Sequence, residues 1–426
     1  MLLTLEPLQA SEGDCLLLHW GTPTEPKLAI IDGGPGNTYD TSLIPRLDKI
    51  MRHRRLSTLP IDLVMVSHVD NDHIVGVKKL FQRLRDDLQL SLPSPFVVRF
   101  LWHNTFNDIL GDGIDQYYRT LTASLAASVG GKPNPKVVTH LAKAIKQRYP
   151  NDPSPNAAAF DIALVLAGHG EGRQLRDSFD VLYNASTIGL LNAPFTKNGM
   201  SSLITLGKKP LTTHINGLAV TIVGPIDAEI QALQVEFDKF IKDKGVSATA
   251  MLAAYADKSI KNLSSIVCLV EMGGKRILLT GDARGDKILE GLRKAKLLKN
   301  EPLKVDILKV PHHGSDRNVE PEFFSKILAD TYVFSGDGKH GNPERETLEW
   351  LTEARGKGAQ YTIVLTYPVS DIDSKRKAEV QNRGKTWKKA AHSLEAFFTD
   401  RINNGFQFTL KAGGLSPINL GQPLPF

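Results

Sequence analysis

Four side chains able to hold a metal ion stand within six residues in His68-Val-Asp70-Asn-Asp72-His73. Imidazole and carboxylate together suit zinc, manganese or iron. The run follows the apolar stretch 61–66, so it lies where a buried strand ends. A tight loop there can aim positions i and i+2 at one metal and i+4 and i+5 at a neighbour. The competing reading is a polar strand-to-helix turn capped by Asp72. Such a turn has no need of two His and two Asp together. Three further clusters complete a ligand count. Asp282 stands in Thr-Gly-Asp-Ala, where alone it reads as a helix cap. His312 and His313 follow Val-Pro. Asp32, in Ile-Asp-Gly-Gly, is a turn residue by itself but can also hold a ligating His from behind.

The elements that must position these clusters are legible as apolar runs. Strand character is found at 2–5, 15–20, 27–31, 61–66, 97–102, 218–223, 305–310, 332–335 and 360–366. Residues 265–271 and 275–280 form a hairpin around Gly273-Gly274. Helical spacing is found at 41–54, 75–85, 226–243, 286–297 and 344–355. Strands that each end in Asp, His and Gly bring those residues to one edge of a sheet, where open α/β folds place ligands. Residues 104–215 differ, with helical spacing first and loops rich in Pro, Asn and Gly afterwards. They read as an insertion, because strand signals resume beyond them. Residues 406–410 read as a final edge strand.

Composition narrows the class. The chain has 426 residues, 41% hydrophobic and 23% charged. That suits two or three domains, or one large domain with insertions. Two cysteines, Cys15 and Cys268, exclude a disulfide scaffold and a Cys-rich zinc module, and fit a reducing compartment. No apolar run approaches the ~18 residues of a membrane span, and the first residues lack the positive start of a secretory signal. The expectation is a cytoplasmic protein with no membrane association. The net charge of +6 equals that of residues 375–389, which hold Lys375, Arg376, Lys377, Arg383, Lys385, Lys388 and Lys389 against Glu379. The remainder is neutral. This segment, with Trp387 inside it, is either a phosphate-contacting patch or a solvated basic face.

The motifs Ile-Asp-Gly-Gly at 31–34, Ser-His-Val-Asp-Asn-Asp-His-Ile-Val-Gly at 67–76, Ile-Leu-Leu-Thr-Gly-Asp-Ala at 277–283 and Ile-Leu-Lys-Val-Pro-His-His-Gly-Ser at 307–315, in this order and spacing, resemble the metallo-β-lactamase-fold hydrolases. Within them the chain is most similar to the hydrolase domain of the competence protein ComEC and its soluble relatives. The resemblance covers residues 1–366. It implies an α/β fold, the metallo-β-lactamase αββα sandwich, here with a mainly helical insertion. Residues 1–103 and 216–370 would form the hydrolase domain, 104–215 the helical insertion, and 371–426 a basic extension packed on the core.

The resemblance also implies roles. His68 and Asp70 would bind one metal, Asp70 replacing a second His as in the ComEC-like branch. Asp72 and His73 would bind the other, with Asp282 bridging. His312 or His313 would complete the second site, His312 being nearer the strand end. The superfamily supplies another His shortly before the hairpin; residues 259–265 hold Asn262 and serines instead. His103, after a strand, is a candidate substitute, and His169 and His214 are weaker ones. The cofactors implied are two divalent ions, zinc or manganese, with the oxygen-rich donor set leaning toward manganese. The reaction implied is hydrolysis by a hydroxide held between them, with Asp72 part of the catalytic set. His313, or His340 in Gly-Lys-His-Gly, would protonate the leaving group; His340 reads equally as a loop-holding residue.

The leading substrate expectation is a nucleic-acid phosphodiester, DNA first. Lys385, Lys388 and Lys389 are candidate backbone contacts, and Arg173 and Arg176 a candidate clamp from the insertion. A small-molecule hydrolase (a phosphocholine-type esterase, cyclic-nucleotide phosphodiesterase or lactonase) is the alternative, since fold does not decide substrate. A metal-stabilised scaffold is a third. The branch also suggests partner proteins in a bacterial defence or DNA-processing system.

Overall fold

A computed structural model describes residues 1–104, 128–129, 132–133, 135–148, 155–197, 200–231, 264–382, 384–414 and 416–426. The first sheet contains β1 (Leu2–Pro7), β2 (Leu16–Gly21), β3 (Pro26–Ile31), β4 (Leu63–Val66) and β5 (Leu101–His103). β1 to β3 are antiparallel, and β3, β4 and β5 run parallel. The second sheet contains, in spatial order, β6 (Leu211–Ile215), β7 (Leu218–Gly224), β8 (Val267–Met272), β9 (Lys275–Leu279), β10 (Leu303–Lys309), β11 (Ile327–Phe334), β12 (Tyr361–Leu365) and β13 (Phe408–Ala412). Its first four strands are antiparallel; from β9 onward they are parallel. A short β14 (Ile418–Asn419) pairs with β1. The tail thus adds an edge strand to each sheet.

The period-two alternation of strands decides which core each side chain enters. Leu16, Leu18 and Trp20 of β2 and Leu63 and Met65 of β4 meet Cys268 and Val270 of β8 and Ile277 and Leu279 of β9 between the sheets. Leu17, Val64 and Val66 face outward, onto helices α1 (Ile44–His53) and α2 (Asn71–Gln89). On the far side Leu269 and Leu278 face another helical layer. The result is an αββα sandwich. Because both faces of these strands are covered, they read as near-continuous apolar runs.

Within the stretch expected to be an insertion, α3 (Pro135–Arg148) and α4 (Pro155–Asn184) are helical. Leu175, Phe179 and Leu182 of α4 pack into the same outer core as Val77, Leu80, Phe81 and Leu84 of α2. Residues 211–215, read from sequence as part of the insertion, form β6 instead. Asn216 and Gly217, both at positive φ (46° and 85°), close its tight hairpin with β7. The second layer carries α5 (Gly285–Lys294), α6 (Arg345–Arg355), α7 (Val369–Asn382) and α8 (Leu394–Asn403). Among the described residues no helix is long and apolar enough to cross a membrane.

Two elements depart from the sequence pattern. α2 begins at Asn71, not at 75. Its N-cap is Asp70, with extended backbone (φ −70°, ψ 147°), and Asp72 lies in the first turn, where the helix dipole favours a carboxylate. The first turn is polar because it faces the cluster described below, so apolar spacing starts late. The run 97–102 divides: Phe96–Val98 pairs with Leu59–Ile61 in a separate two-stranded sheet, and only β5 joins the main one.

The Ile-Asp-Gly-Gly turn after β3 docks on α2 backbone to backbone. Gly33 N donates to His73 O at 2.6 Å, and Gly76 N donates to Gly34 O at 3.1 Å. A Cβ on Gly76 would lie 2.0 Å from Gly33 O. Gly76→Ala is therefore expected to push α2 off the turn and to cost about 1–3 kcal/mol, the usual range for overpacking. Urea unfolding checks this; an unchanged midpoint would contradict the contact.

Candidate metal centre

Six segments end at one edge of the sandwich. β3 leads to Asp32 and β4 to Ser67-His68; β5 ends at His103. β9 leads to Thr280-Gly281-Asp282, β10 to Pro311-His312-His313, and β11 to Ser335. One backbone bond stitches the two sheets there, Ile266 N donating to Ser67 O at 2.8 Å, and within the second sheet His312 N donates to Gly281 O at 3.1 Å.

Asp282 is the focus of the cluster and is 2% exposed. His73 Nε2 is 3.2 Å from its Oδ1. The Nε2 atoms of His68, His312 and His313 lie 3.8, 3.6 and 3.6 Å from its Oδ2. Asp70 Oδ2 is 3.9 Å from His68 Nε2. Asp72 Oδ2 is 3.8 Å from His73 Nε2 and 3.5 Å from His313 Nε2.

Each imidazole is tethered through Nδ1. Ser67 Oγ donates to Asp32 Oδ2 at 2.7 Å, so it accepts from His68 Nδ1 at 3.0 Å. His73 Nδ1 donates to Asp32 Oδ2 at 2.9 Å. Ser335 Oγ donates to Asp14 and accepts from His313 Nδ1 at 2.9 Å. His312 Nδ1 donates to Asn318 Oδ1 at 2.6 Å. These partners hold each imidazole through Nδ1 and leave Nε2 as the atom facing Asp282.

The Nε2 atoms of His68, His73 and His313 and the Oδ1 of Asp282 are buried without a hydrogen bond. Buried polar atoms are seldom left so, and these are the donor atoms a divalent cation takes. The residues therefore fit a metal. Charge agrees. Burial pushes the Asp282 carboxyl up, but His73, His312 and His313 outweigh it and hold it well below the usual range. Burial pushes His73 and His313 down, yet Asp282, with Asp32 and Asp14 respectively, raises both well above an ordinary imidazole. Burial and the neighbouring His73 lower His68. The cluster holds surplus negative charge that calls for cations.

Asp14 is the residue that sequence reading missed. It belongs to a buried group with His73, Asp282 and His313 whose ligand atoms lie within 4.8 Å of one another. Its Oδ2 is 2.8 Å from the Lys309 ammonium, with both side chains 1% exposed. Asp14 is thus neutralised by Lys309 and serves His313 as Asp32 serves His73. In the chain it looks like an ordinary turn acid in Ser-Glu-Gly-Asp. The available signal was Lys309, a lone cation ending an apolar strand.

The other expected residues are dispersed. Asp32 stands behind His68 and His73, accepting from Ser67 Oγ at 2.7 Å and from His73 Nδ1 at 2.9 Å. His103 is fully buried at the end of β5, with neither ring nitrogen hydrogen-bonded. Burial, aided by Arg176 and His68, pushes its pKa down to about 3. Asn262 lies outside the described residues. His340 is exposed in a left-handed turn (φ 59°) and joins none of the ion pairs around Asp282. Arg173 and Arg176 lie half-buried on α4, where Arg176 pairs with Asp180 at 3.4 Å. His214 is exposed on β6.

The basic segment splits in two. Arg376 is buried and donates to the carbonyls of Gly341, Pro343 and His392; Lys375 pairs with Asp337. These two cations hold the loop around His340. Lys385, Lys388 and Lys389 are exposed beside half-buried Trp387, and Lys389 meets Glu395 at 3.0 Å. Arg383 lies outside the described residues.

No family model matches the chain. A 98-residue stretch is 33% identical to ComE operon protein 3 of Bacillus subtilis, covering 22% of this chain and 12% of that protein. A 76-residue stretch is 32% identical to microtubule-associated protein 1A of Rattus norvegicus, covering 18% of this chain and 3% of that protein. The chain thus spans a small part of the curated relatives it matches. Among solved structures, Zn(2+)-bound PqqB from Methylobacterium extorquens aligns over 96% of this chain and 87% of its own, with 12% identity and a TM-score of 0.31. A protein of unknown function from Enterococcus faecalis V583 aligns over 97% and 89%, with 10% identity and a TM-score of 0.26. The architecture accordingly rests on the chain's own sheets and helices.

Proposed function

We propose that this chain is a metal-dependent hydrolase, and more narrowly a phosphodiesterase acting on nucleic acid, with DNA the first substrate to test. One observation carries the hydrolase reading: four imidazoles, each tethered through Nδ1, turn Nε2 toward the shared carboxylate of Asp282. Two divalent ions, zinc or manganese, supply Lewis acidity for cleaving a P–O bond when bound. His68, Asp70 and Asp282 would hold one, and Asp72, His73, His313 and Asp282 the other. Asp32, Ser67, Asp14 and Ser335 keep the imidazoles in the ligating tautomer. His313 faces the cluster as a ligand, which leaves protonation of the leaving oxygen to another group.

The narrower reading draws on two supports. One is the resemblance of the motifs to the ComEC-like branch, beside which stands the local identity to ComE operon protein 3. The other is the exposure of Lys385, Lys388 and Lys389, cations of the kind that contact backbone phosphates without base readout. A bacterial defence or DNA-processing setting, with partner proteins, follows from that branch.

Single-stranded and plasmid DNA incubated with manganese- or zinc-loaded protein should be cleaved. The triple Lys385→Ala, Lys388→Ala, Lys389→Ala variant should bind DNA more weakly at every sequence, with its log–log salt slope flatter by about 3. Metal-loaded protein that hydrolyses a small phosphodiester but leaves both DNA forms intact would overturn the nucleic-acid reading and retain the hydrolase. An unchanged salt slope in the triple variant would remove the basic segment from the substrate path.

A further inference from the structure

We infer that the adjacent histidines His312 and His313 divide between the two cation positions: His313 serves the one held by Asp72 and His73, and His312 serves the one held by His68 and Asp70, with Asp282 shared. This rests on the metal-centre reading above and adds an imidazole that the reading does not use.

The backbone makes the division feasible. Consecutive residues in ordinary extended chain send their side chains to opposite faces. Here His312 and His313 both adopt positive φ, 47° and 55°, and Gly314 continues at 84°. Non-glycine residues seldom take that region, and a surrounding structure must hold them in it. The consequence is that both Nε2 atoms lie 3.6 Å from Asp282 Oδ2, while the two rings are near-perpendicular, at 79°, with centroids 5.8 Å apart. Two rings so crossed approach one carboxylate from different directions.

Their anchors also differ. His313 is tied to Ser335 and Asp14 and lies 3.5 Å from Asp72 Oδ2. Its ring centroid is 5.2 Å from that of His73. His312 is tied instead to Asn318. Asn318 N donates to Ser315 O at 3.3 Å, its Nδ2 donates to Asp282 O at 3.4 Å, and its own carbonyl accepts from Gly285 N at 2.6 Å. With Nδ2 committed to a carbonyl, Oδ1 is the atom that meets His312, and an oxygen there can only accept. His312 Nδ1 therefore carries the proton, and Nε2 offers a lone pair toward the Asp282 oxygen that His68 also faces, at 3.8 Å.

His103 is the rival for this role, since it is fully buried with no hydrogen bond at either ring nitrogen. A Cβ on Gly172 of α4 would sit 3.7 Å from His103 Nε2, so that atom lies against the insertion helix. His312 Nε2 lies 3.6 Å from Asp282 Oδ2, whereas His103 Nε2 abuts α4.

The test counts metal. His312→Gln, His313→Gln and His103→Gln proteins, each checked for folding by circular dichroism, would be equilibrated with manganese or zinc and the bound ions measured by mass spectrometry. Cobalt(II) absorption would report coordination. His312 is the most exposed of the four clustered imidazoles, with 29% of its side chain accessible, so its replacement is tolerated by the core. Wild type should hold two ions per chain, His312→Gln and His313→Gln one each with different cobalt spectra, and His103→Gln two. Two ions retained by His312→Gln at wild-type affinity would overturn the division. So would a loss of one ion in His103→Gln, or identical cobalt spectra for the two doublet variants. Failure to cut DNA by protein holding two ions would sink the nucleic-acid reading and leave this inference standing.

Discussion

Asp282→Ala is expected to lower hydrolytic turnover by about a thousandfold or more while leaving the fold intact. Asp282 is the carboxylate approached by all four clustered imidazoles, so its loss would remove a donor from both of the proposed cation positions. Metal centres supply several kcal/mol of transition-state charge stabilisation, and each 1.36 kcal/mol is about a factor of ten in rate. The fold should tolerate the change. The Asp282 side chain lies at the sandwich edge, and the apolar cores behind it do not depend on it. Kinetics on a phosphodiester, with metal content and thermal unfolding measured on the same sample, check the point. Turnover within tenfold of wild type would sink a centre built on Asp282.

Asp14→Ala should be the most destabilising single change at the site. It would strand the Lys309 ammonium, 1% exposed, without its carboxylate at 2.8 Å. Breaking a buried pair by removing one partner costs about 3–5 kcal/mol, because the remaining charge has no solvent. Both groups are buried, so screening does not reduce the figure. The double variant Asp14→Ala, Lys309→Met removes both charges and should recover much of the loss. It should not recover metal affinity, because the Asp14–Ser335 chain behind His313 is gone. Urea unfolding of the two single variants and the double variant completes a cycle. A cost below about 1 kcal/mol for Asp14→Ala, the range of exposed pairs, would show that Lys309 finds water there.

The basic segment illustrates how tertiary contacts divide a run of like charges. Seven cations in residues 375–389 look uniform in the chain. Arg376 proves to be a buried clamp on three carbonyls, and Lys375 neutralises buried Asp337. Lys377, Lys385, Lys388 and Lys389 are the part left exposed to solvent.

By itself the sequence determined the His and Asp clusters and their placement at strand ends, while the αββα architecture came from the resemblance its motifs carry. The clusters and the strand ends are local properties. The spacing of His68, Asp70, Asp72 and His73 is set by one loop and one helical turn, and strand and helix periods are written in consecutive residues. Asp32 was also legible, because its Gly-Gly turn announces a close backbone approach. The tertiary structure alone decided how the imidazoles are aimed. Asp14, Lys309, Ser335 and Asn318 lie far apart in the chain and carry no motif. They become tethers only when the two sheets pack and bring the strand ends together. The aim of both His312 and His313 at Asp282 depends on left-handed backbone at both residues, held by Gly281 on one side and Asn318 on the other. No pattern of residue types encodes that conformation, since it is imposed by contacts the folded sandwich supplies.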